Sequence, residues 1–211
     1  MTQRLYMTDD RLTMETSVVR CTQRDDGLFD VVLSATLFHP QGGGQLSDRG
    51  TIAGAGVVNV MALEDEIVHA CEQAVPVGGA HIEVCAVTRA LHARLHSAGH
   101  LIGYCGEALG WRAVKGHHWP GEARVVFEGV QDASAFDAQQ IETLANLHVS
   151  ADLPRRTALQ GTMRTIGFGD LPPHGCGGTH VATSAAVGRI RILKIKDKKG
   201  QRSVHYDLEE A

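Results

Sequence analysis

The chain has few aromatic residues, 5% of its 211 positions. It also has no apolar run near the roughly 18 residues that a membrane-spanning helix requires. Its first residues, Met1-Thr2-Gln3-Arg4-Leu5-Tyr6, contain no apolar h-region, so no secretory signal is expected and the cytoplasm is the expected compartment. Low-complexity tracts and internal repeats are absent. Cysteine is present five times, as Cys21, Cys71, Cys85, Cys105 and Cys176. An odd count without a signal argues against a disulfide framework. Four of these lie in apolar contexts and read as small buried hydrophobes. Cys176 differs, because glycines flank it and a histidine follows four residues on.

The chain is 43% hydrophobic and 21% charged, which fits a folded globular protein and argues against disorder. Its length suits one large domain or two small ones. The net charge of −4 does not itself suggest a polyanionic partner. The distribution is more telling. Arg189, Arg191, Lys194, Lys196, Lys198, Lys199 and Arg202 crowd one region, opposed only by Asp197. Such a cluster is either a solvated hairpin or a phosphate-binding surface.

The N-terminal part reads as β. Short β-branched runs at Ser17–Cys21, Phe29–Ser34, Val57–Met61 and Ile67–Ala70 are separated by turn residues at Asp25-Asp26-Gly27, Asp48-Arg49-Gly50 and Gly54-Ala55-Gly56. Strands at this spacing suggest a small barrel. Pro76-Val77-Gly78-Gly79 reads as the turn leading out, and His81–Ala86 as a further strand. A helix is expected from about Thr88 to Leu109, with Leu91, Leu95, Ala98 and Ile102 as its apolar stripe. A second helix is expected from Ser134 to about His148, capped by Ser134 or Asp132. Strands are expected at Ala123–Phe127, near Thr157, and around Ile190–Leu193 and Val204–Leu208, the last two joined by a Lys198-Lys199-Gly200 turn. The expected fold class is α+β, with a small β-barrel domain over 1–86 and an α+β domain over 87–211.

The chemistry lies in two separated pairs. His96 and His100 are four apart, so on a helix they share a face one turn apart, roughly 100° from the apolar stripe. Cys176 and His180 repeat that spacing. Three imidazoles and a thiolate suit Zn²⁺, which takes nitrogen and soft sulfur ligands tetrahedrally. Cys176 sits in Pro172-Pro173-His174-Gly175-Cys176-Gly177-Gly178-Thr179-His180, too glycine-rich for a helix interior. Its backbone can approach a ligand closely and offer N–H groups to an oxyanion. A third segment, Thr36-Leu37-Phe38-His39-Pro40-Gln41-Gly42-Gly43-Gly44-Gln45, ends in an amide able both to donate and to accept.

Taken in this order, the Pro-x-Gly-Gly-Gly-Gln run, the HxxxH helix and the Cys-Gly-Gly-Thr-His loop resemble the editing domain of alanyl-tRNA synthetases and its free-standing relatives, the alanyl-tRNA editing proteins of AlaX type. The resemblance extends from about Arg4 to about Leu208, with weaker similarity at Ile141–Asn146 and Val187–Ile190. It implies a zinc-dependent hydrolase, acting in trans, that removes serine and glycine from mischarged alanine tRNA. Neither a nucleotide cofactor, nor DNA, nor a membrane would be involved. His96, His100, Cys176 and His180 would bind zinc, and Gln45 would act in catalysis. Gly43, Gly44, Gly177, Thr179 and His118 would contact substrate, with His117 as a further candidate for the pocket wall. Lys194, Lys196, Lys198 and Lys199 would contact tRNA, with Arg89, Arg112, Lys115, Arg155 and Arg156 as the next candidates. Four protein ligands leave no open coordination position, so one ligand yields, the metal expands its coordination, or it only orients the ester. The editing domain of threonyl-tRNA synthetases has a related histidine and cysteine pattern, so serine-charged threonine tRNA is an alternative substrate. A non-enzymatic RNA-binding module with structural zinc is the alternative function.

Overall fold

Alternation of apolar and polar residues builds the N-terminal strands. In the computed structural model, which describes residues 1–130, 133–160 and 163–209, β1 is Gln3–Arg4, β2 Thr13–Gln23, β3 Phe29–Leu33, β4 Ala35–Thr36, β5 Gly50–Ile52, β6 Ala55–Leu63, β7 Glu66–Cys71 and β8 Gly78–Val84. Along β8, Ala80, Ile82 and Val84 are buried while His81 and Glu83 are exposed, the period of two expected of a half-buried strand. The hydrogen-bonded order β2-β3-β7-β6-β5-β8 closes on itself as a barrel, and β1 pairs with β4 in parallel. Val31, Leu33, Phe38, Ile52, Val60, Ile67 and Ile82 fill its core.

Several sequence expectations shift here. The β5–β6 turn is Ala53-Gly54, both at positive φ, with Ala55 already in the strand. That is the two-residue geometry whose twist suits a hairpin. Gly50 and Gly78 open strands instead of forming turns. The helix begins at Ala86, which ends the strand earlier than expected.

The chain divides into two compact units: Met1–Gly42 with Leu46–Ala90, and Gly43–Gln45 with Leu91–Ala211. Gly43–Gln45, expected in the barrel domain, belong to the second unit. The reason is local: Gln45 bonds His96 and Thr179, and the Gly44 carbonyl accepts from His118 N.

In the second unit, α1 (Ala86–Ala108, its first turn in the other unit) is followed by β9 (Trp111–His117), β10 (Arg124–Gly129), α2 (Ala138–Ser150), β11 (Arg155–Gln160), β12 (Met163–Phe168), β13 (His174–Gly175), β14 (Ile190–Lys198) and β15 (Gln201–Leu208). One antiparallel sheet has the order β14-β15-β10-β9 and another β11-β12-β13. The α+β class is as expected. Leu95, Ala98, Leu101, Ile102 and Cys105 of α1 join Val125, Phe127, Ile141, Val204 and Tyr206 in one buried cluster. Leu91, the expected first member of the stripe, is exposed.

Helix α2 starts later than expected. Asp137 caps it by accepting from Gln140 N at 2.7 Å. Phe136 before the cap and Ile141 within the helix are both buried in the cluster. This N-cap, with apolar residues at the two positions of a hydrophobic staple, outcompetes a start at Ser134. Asp132 lies outside the described residues. No helix among the described residues is long and apolar enough to cross a membrane.

In the barrel unit, a buried ion pair holds the loop after β4. Arg89 Nε lies 3.0 Å from Asp48 Oδ1, Arg89 Nη2 donates to Leu37 O at 2.7 Å, and Asp48 accepts from His39 N at 2.6 Å. Asp48 is fully buried. Replacing Arg89 with alanine leaves that carboxylate without its main partner, so Arg89→Ala should destabilise the fold by about 3–5 kcal/mol. Denaturant unfolding of the variant checks this, and a loss below about 1 kcal/mol would show that the pair does not hold the loop.

Candidate metal centre

Helix α1 presents His96 and His100 one turn apart, their ring centroids separated by 5.4 Å. β13 ends at Gly175, delivering Cys176 and, four residues on, His180. The structure brings all four together, with one ligand atom from each lying within 4.8 Å of the others. His96 Nε2 is 3.4 Å and His180 Nε2 3.2 Å from Cys176 Sγ. A tetrahedral zinc-type ion with bonds of about 2.0–2.3 Å sets its ligands roughly 3.3–3.7 Å apart, and the 3.4 Å separation falls in that range while the 3.2 Å one is just below it.

The outer nitrogens of two rings are held from behind. His96 Nδ1 is 2.7 Å from Gln45 Oε1, a carbonyl oxygen that only accepts. The ring proton of His96 is therefore on Nδ1, and Nε2 faces Cys176 bare. His180 Nδ1 is 3.2 Å from Ser97 Oγ, which also accepts from Val181 N. Such partners commonly orient metal-ligating imidazoles. His100 Nδ1 is buried without a hydrogen-bond partner, which a ligand could satisfy.

Electrostatics agree. Burial, followed by the charges of His118, His174 and Arg164, pushes the pKa of His100 down to about 3. Burial, then His100 and Arg164, holds His180 well below its ordinary value. Burial likewise raises the Cys176 thiol. Neutral imidazoles are the form that binds a cation, and a cation would in turn favour the thiolate.

Gln45 was expected to face substrate. It is buried, and its amide is engaged: Nε2 donates to Thr179 Oγ1 at 2.8 Å, while Oε1 accepts from Thr179 N at 3.0 Å and from His96. It clamps the Cys-Gly-Gly-Thr-His loop to helix α1. Gly178 allows this closeness, since a side chain there would run into the His96 ring and Gln45 Oε1. Sequence reasoning missed Arg164, whose Nε donates to Cys176 O at 2.8 Å and whose Nη2 donates to Gly178 O. It also missed Ser97 as a partner of His180. Arg155, a candidate for RNA contact, donates to His180 O at 2.7 Å, and Arg89 is held by Asp48. No sequence signal marked Arg164 beforehand, because a bond to a main-chain carbonyl leaves no partner residue type in the sequence.

His96, His100 and Cys176 of the cluster line a cavity of about 500 Å³, together with Gly43, Lys115, His118, His174 and Gly177. Gly43 and Gly177, expected to contact substrate, are on the cavity wall. Gly44 is at positive φ and abuts Gly116 O, so only glycine fits. His118 is buried and stacks on His96, with centroids 4.3 Å apart. His117 turns instead toward Trp119. Lys194, Lys196, Lys198 and Lys199 are exposed on β14 and its turn.

Three histidines and a cysteine in this arrangement define a candidate metal-binding protein. No family model matches the chain. It is 32% identical over 82% of its length to the alanine–tRNA ligase of Thermofilum pendens, 28% over 92% to that of Archaeoglobus fulgidus and 32% over 79% to that of Hyperthermus butylicus. The chain spans 22%, 24% and 21% of those relatives. It is therefore related to a segment of the alanine–tRNA ligases, in keeping with the motif resemblance.

One metal ion per chain is expected on elemental analysis of the purified protein, and none in the His96→Ala/Cys176→Ala double variant. Gln45→Ala should weaken metal affinity by about 10- to 100-fold, because it frees His96 to turn. Undiminished metal in the double variant would place the ion elsewhere.

Proposed function

We propose that the chain is a zinc-dependent deacylase acting in trans on mischarged alanine tRNA, releasing serine and glycine. One observation carries the reading: three members of the four-residue cluster, His96, His100 and Cys176, form part of the wall of a glycine-lined cavity large enough for an aminoacyl ester, with His180 behind them. The donor set suits zinc. When bound, zinc supplies Lewis acidity to the ester carbonyl or to water. The chain's own contribution is positioning. Gln45 sets His96 and Thr179, Arg164 sets the Cys176 loop, and Gly43 and Gly177 leave main chain at the cavity wall. The relatives' name, alanine–tRNA ligase, supports alanine tRNA as the nucleic acid.

The β14-β15-β10-β9 sheet offers a surface for that RNA. Register places Lys194 beside His205 and Arg124, and Lys196 beside Ser203 and Val126, on the face opposite the buried Val125, Val204 and Tyr206. Burial, then Lys194, Lys196 and Arg124, pushes down the pKa of His205, a sign of concentrated positive charge. A groove of about 280 Å³ runs between Lys115, Arg124, Lys198 and Lys199, and Lys115 also lines the metal cavity. The cationic face thus leads toward the cluster, as a phosphate backbone ending in a scissile ester requires. Arg202 of the basic run is not part of it, being paired with Asp197 at 2.7 Å and lying over Trp111.

Serine- and glycine-charged alanine tRNA should lose their esters while alanine-charged tRNA survives, measured as release of labelled amino acid. Between serine and alanine, a pocket that bonds the hydroxyl rejects the analogue lacking it; glycine, which also lacks it, differs from alanine by the absence of a methyl group. Hydrolysis confined to serine-charged threonine tRNA would favour that substrate instead. Four protein ligands are also the pattern of structural zinc, and absence of turnover on every charged tRNA would favour a binding module.

Replacing Lys194, Lys196, Lys198 and Lys199 by glutamine should weaken tRNA binding. It should also flatten the logarithmic salt dependence by about 0.7–0.9 for each phosphate that is no longer neutralised. An unchanged affinity and slope would mean that the hairpin faces away from the RNA.

A further inference from the structure

The Tyr206 hydroxyl, on the buried face of β15, bridges two groups. It lies 2.9 Å from Leu95 O and 2.6 Å from His118 Nδ1. A phenol has one proton to give. A carbonyl oxygen accepts only, and two oxygens 2.9 Å apart need a proton between them, so the hydroxyl donates to Leu95. Tyr206 Oη is then the acceptor toward His118, and His118 Nδ1 must carry the ring proton. In the neutral ring Nε2 is bare.

The ring cannot easily turn away from this arrangement. It is stacked on His96 at an interplanar angle of 21°. A side chain at Gly99 would collide with its Cε1 and Nδ1, and one at Gly116 with its Nε2 and Cε1. The two glycines therefore make room for the ring. The space that residue 116 leaves free lies beside Nε2, and Gly116 and His118 both line the cavity.

We infer that Tyr206 is a positioning residue that fixes the ring proton of His118 on Nδ1, so that Nε2 is an acceptor for the α-ammonium group of the substrate. The ammonium part of this rests on the deacylase reading, whereas the proton placement does not. The ammonium group of an aminoacyl ester is attached to the carbon next to the carbonyl, so its acceptor must be close to the metal ligands. His118 stacks directly on His96. Glu107, the carboxylate of the cavity lining, is seven residues and roughly 10 Å along the helix from His100. It also already pairs with His174 at 3.1 Å.

The test uses whole protein labelled with ¹⁵N-histidine, with the His118 signals assigned from their loss in His118→Gln. Long-range ¹⁵N–¹H correlation of the wild type should show a protonated Nδ1 and a bare Nε2. In Tyr206→Phe the proton should shift toward Nε2. With serine-charged alanine tRNA, Tyr206→Phe should raise KM about tenfold, the effect of one lost hydrogen bond. Its kcat and metal content should stay within about twofold of wild type. His118→Gln, whose amide oxygen can still accept, should keep more activity than His118→Leu. A protonated Nε2 in the wild type, or an unmoved proton in Tyr206→Phe, overturns the proton placement whether or not any ester is cleaved. A correct placement with unchanged KM in Tyr206→Phe, or equal activity in His118→Gln and His118→Leu, overturns the ammonium role. Should Tyr206→Phe fail to fold, the wild-type spectrum and the two His118 variants decide. If the wild type cleaves no charged tRNA, the deacylase reading fails and the ammonium role with it, while the spectrum still tests the proton placement.

Discussion

A single amide oxygen joins the parts of the second unit that carry chemistry. Gln45 Oε1 accepts at once from His96 Nδ1 on helix α1 and from Thr179 N in the cysteine loop. Two lone pairs are thereby used on two elements 83 residues apart in sequence, from 96 to 179. The consequences spread outward. With Nδ1 of His96 protonated, Nε2 is left to meet Cys176. With Thr179 fixed, the loop between Cys176 and His180 has little freedom, and the carbonyls of Cys176 and Gly178 are free to accept from Arg164. Gly44 lets this segment lie against the main chain of Gly116 and His117, which a side chain there would prevent. The site is thus determined by main-chain and amide hydrogen bonds in a buried setting, where an unmade bond is costly.

Such a construction explains which features were legible in the sequence. The four ligands were readable because metal chemistry demands particular residue types at a repeat of four. The helix was readable because Leu95, Ala98 and Ile102 follow its period, although Leu91, at the border, is exposed. The start of α2 was present in Asp137-x-x-Gln140 with Phe136 before it, but Ser134 offered a competing cap of the same chemical kind. β9 was less visible. Its residues Trp111–His117 include a glycine, two cations and a histidine, and a bulge opposite Val126 and Phe127 breaks their alternation. Gln45 stood out as a candidate, but its partners did not. Sequence spacing does not report which of two faces a buried amide will serve.

Charge is distributed in a way that the total conceals. In the metal-type cluster, burial and the nearby Arg164 disfavour protonation of His100 and His180. The outer sheet face is cationic although the chain as a whole carries −4. A negatively charged protein with a positive face orients a polyanion instead of binding it everywhere, since the remaining surface repels it. Arg202 illustrates how counting basic residues misleads. It belongs to the same run of sequence as the lysines, yet it folds back onto Asp197, Trp111 and Phe136.

Strand β15 shows why the two faces are inseparable. Its side chains alternate, so Val204 and Tyr206 point into the core while Ser203 and His205 point outward. Tyr206 therefore reaches His118 and Leu95, and its neighbour His205 sits between Lys194 and Arg124 on the cationic face. A slip of one residue in the pairing of β15 would exchange these roles, burying His205 among apolar side chains and removing the hydroxyl from His118. The Lys199-Gly200 turn, with both residues at positive φ, opposes such a slip by setting the register of β14 against β15. The same turn holds Lys198 and Lys199 beside the groove that they line with Lys115 and Arg124. Register at this hairpin thus fixes both the surface that would receive a polyanion and the buried hydroxyl behind the cavity, so neither can shift without the other.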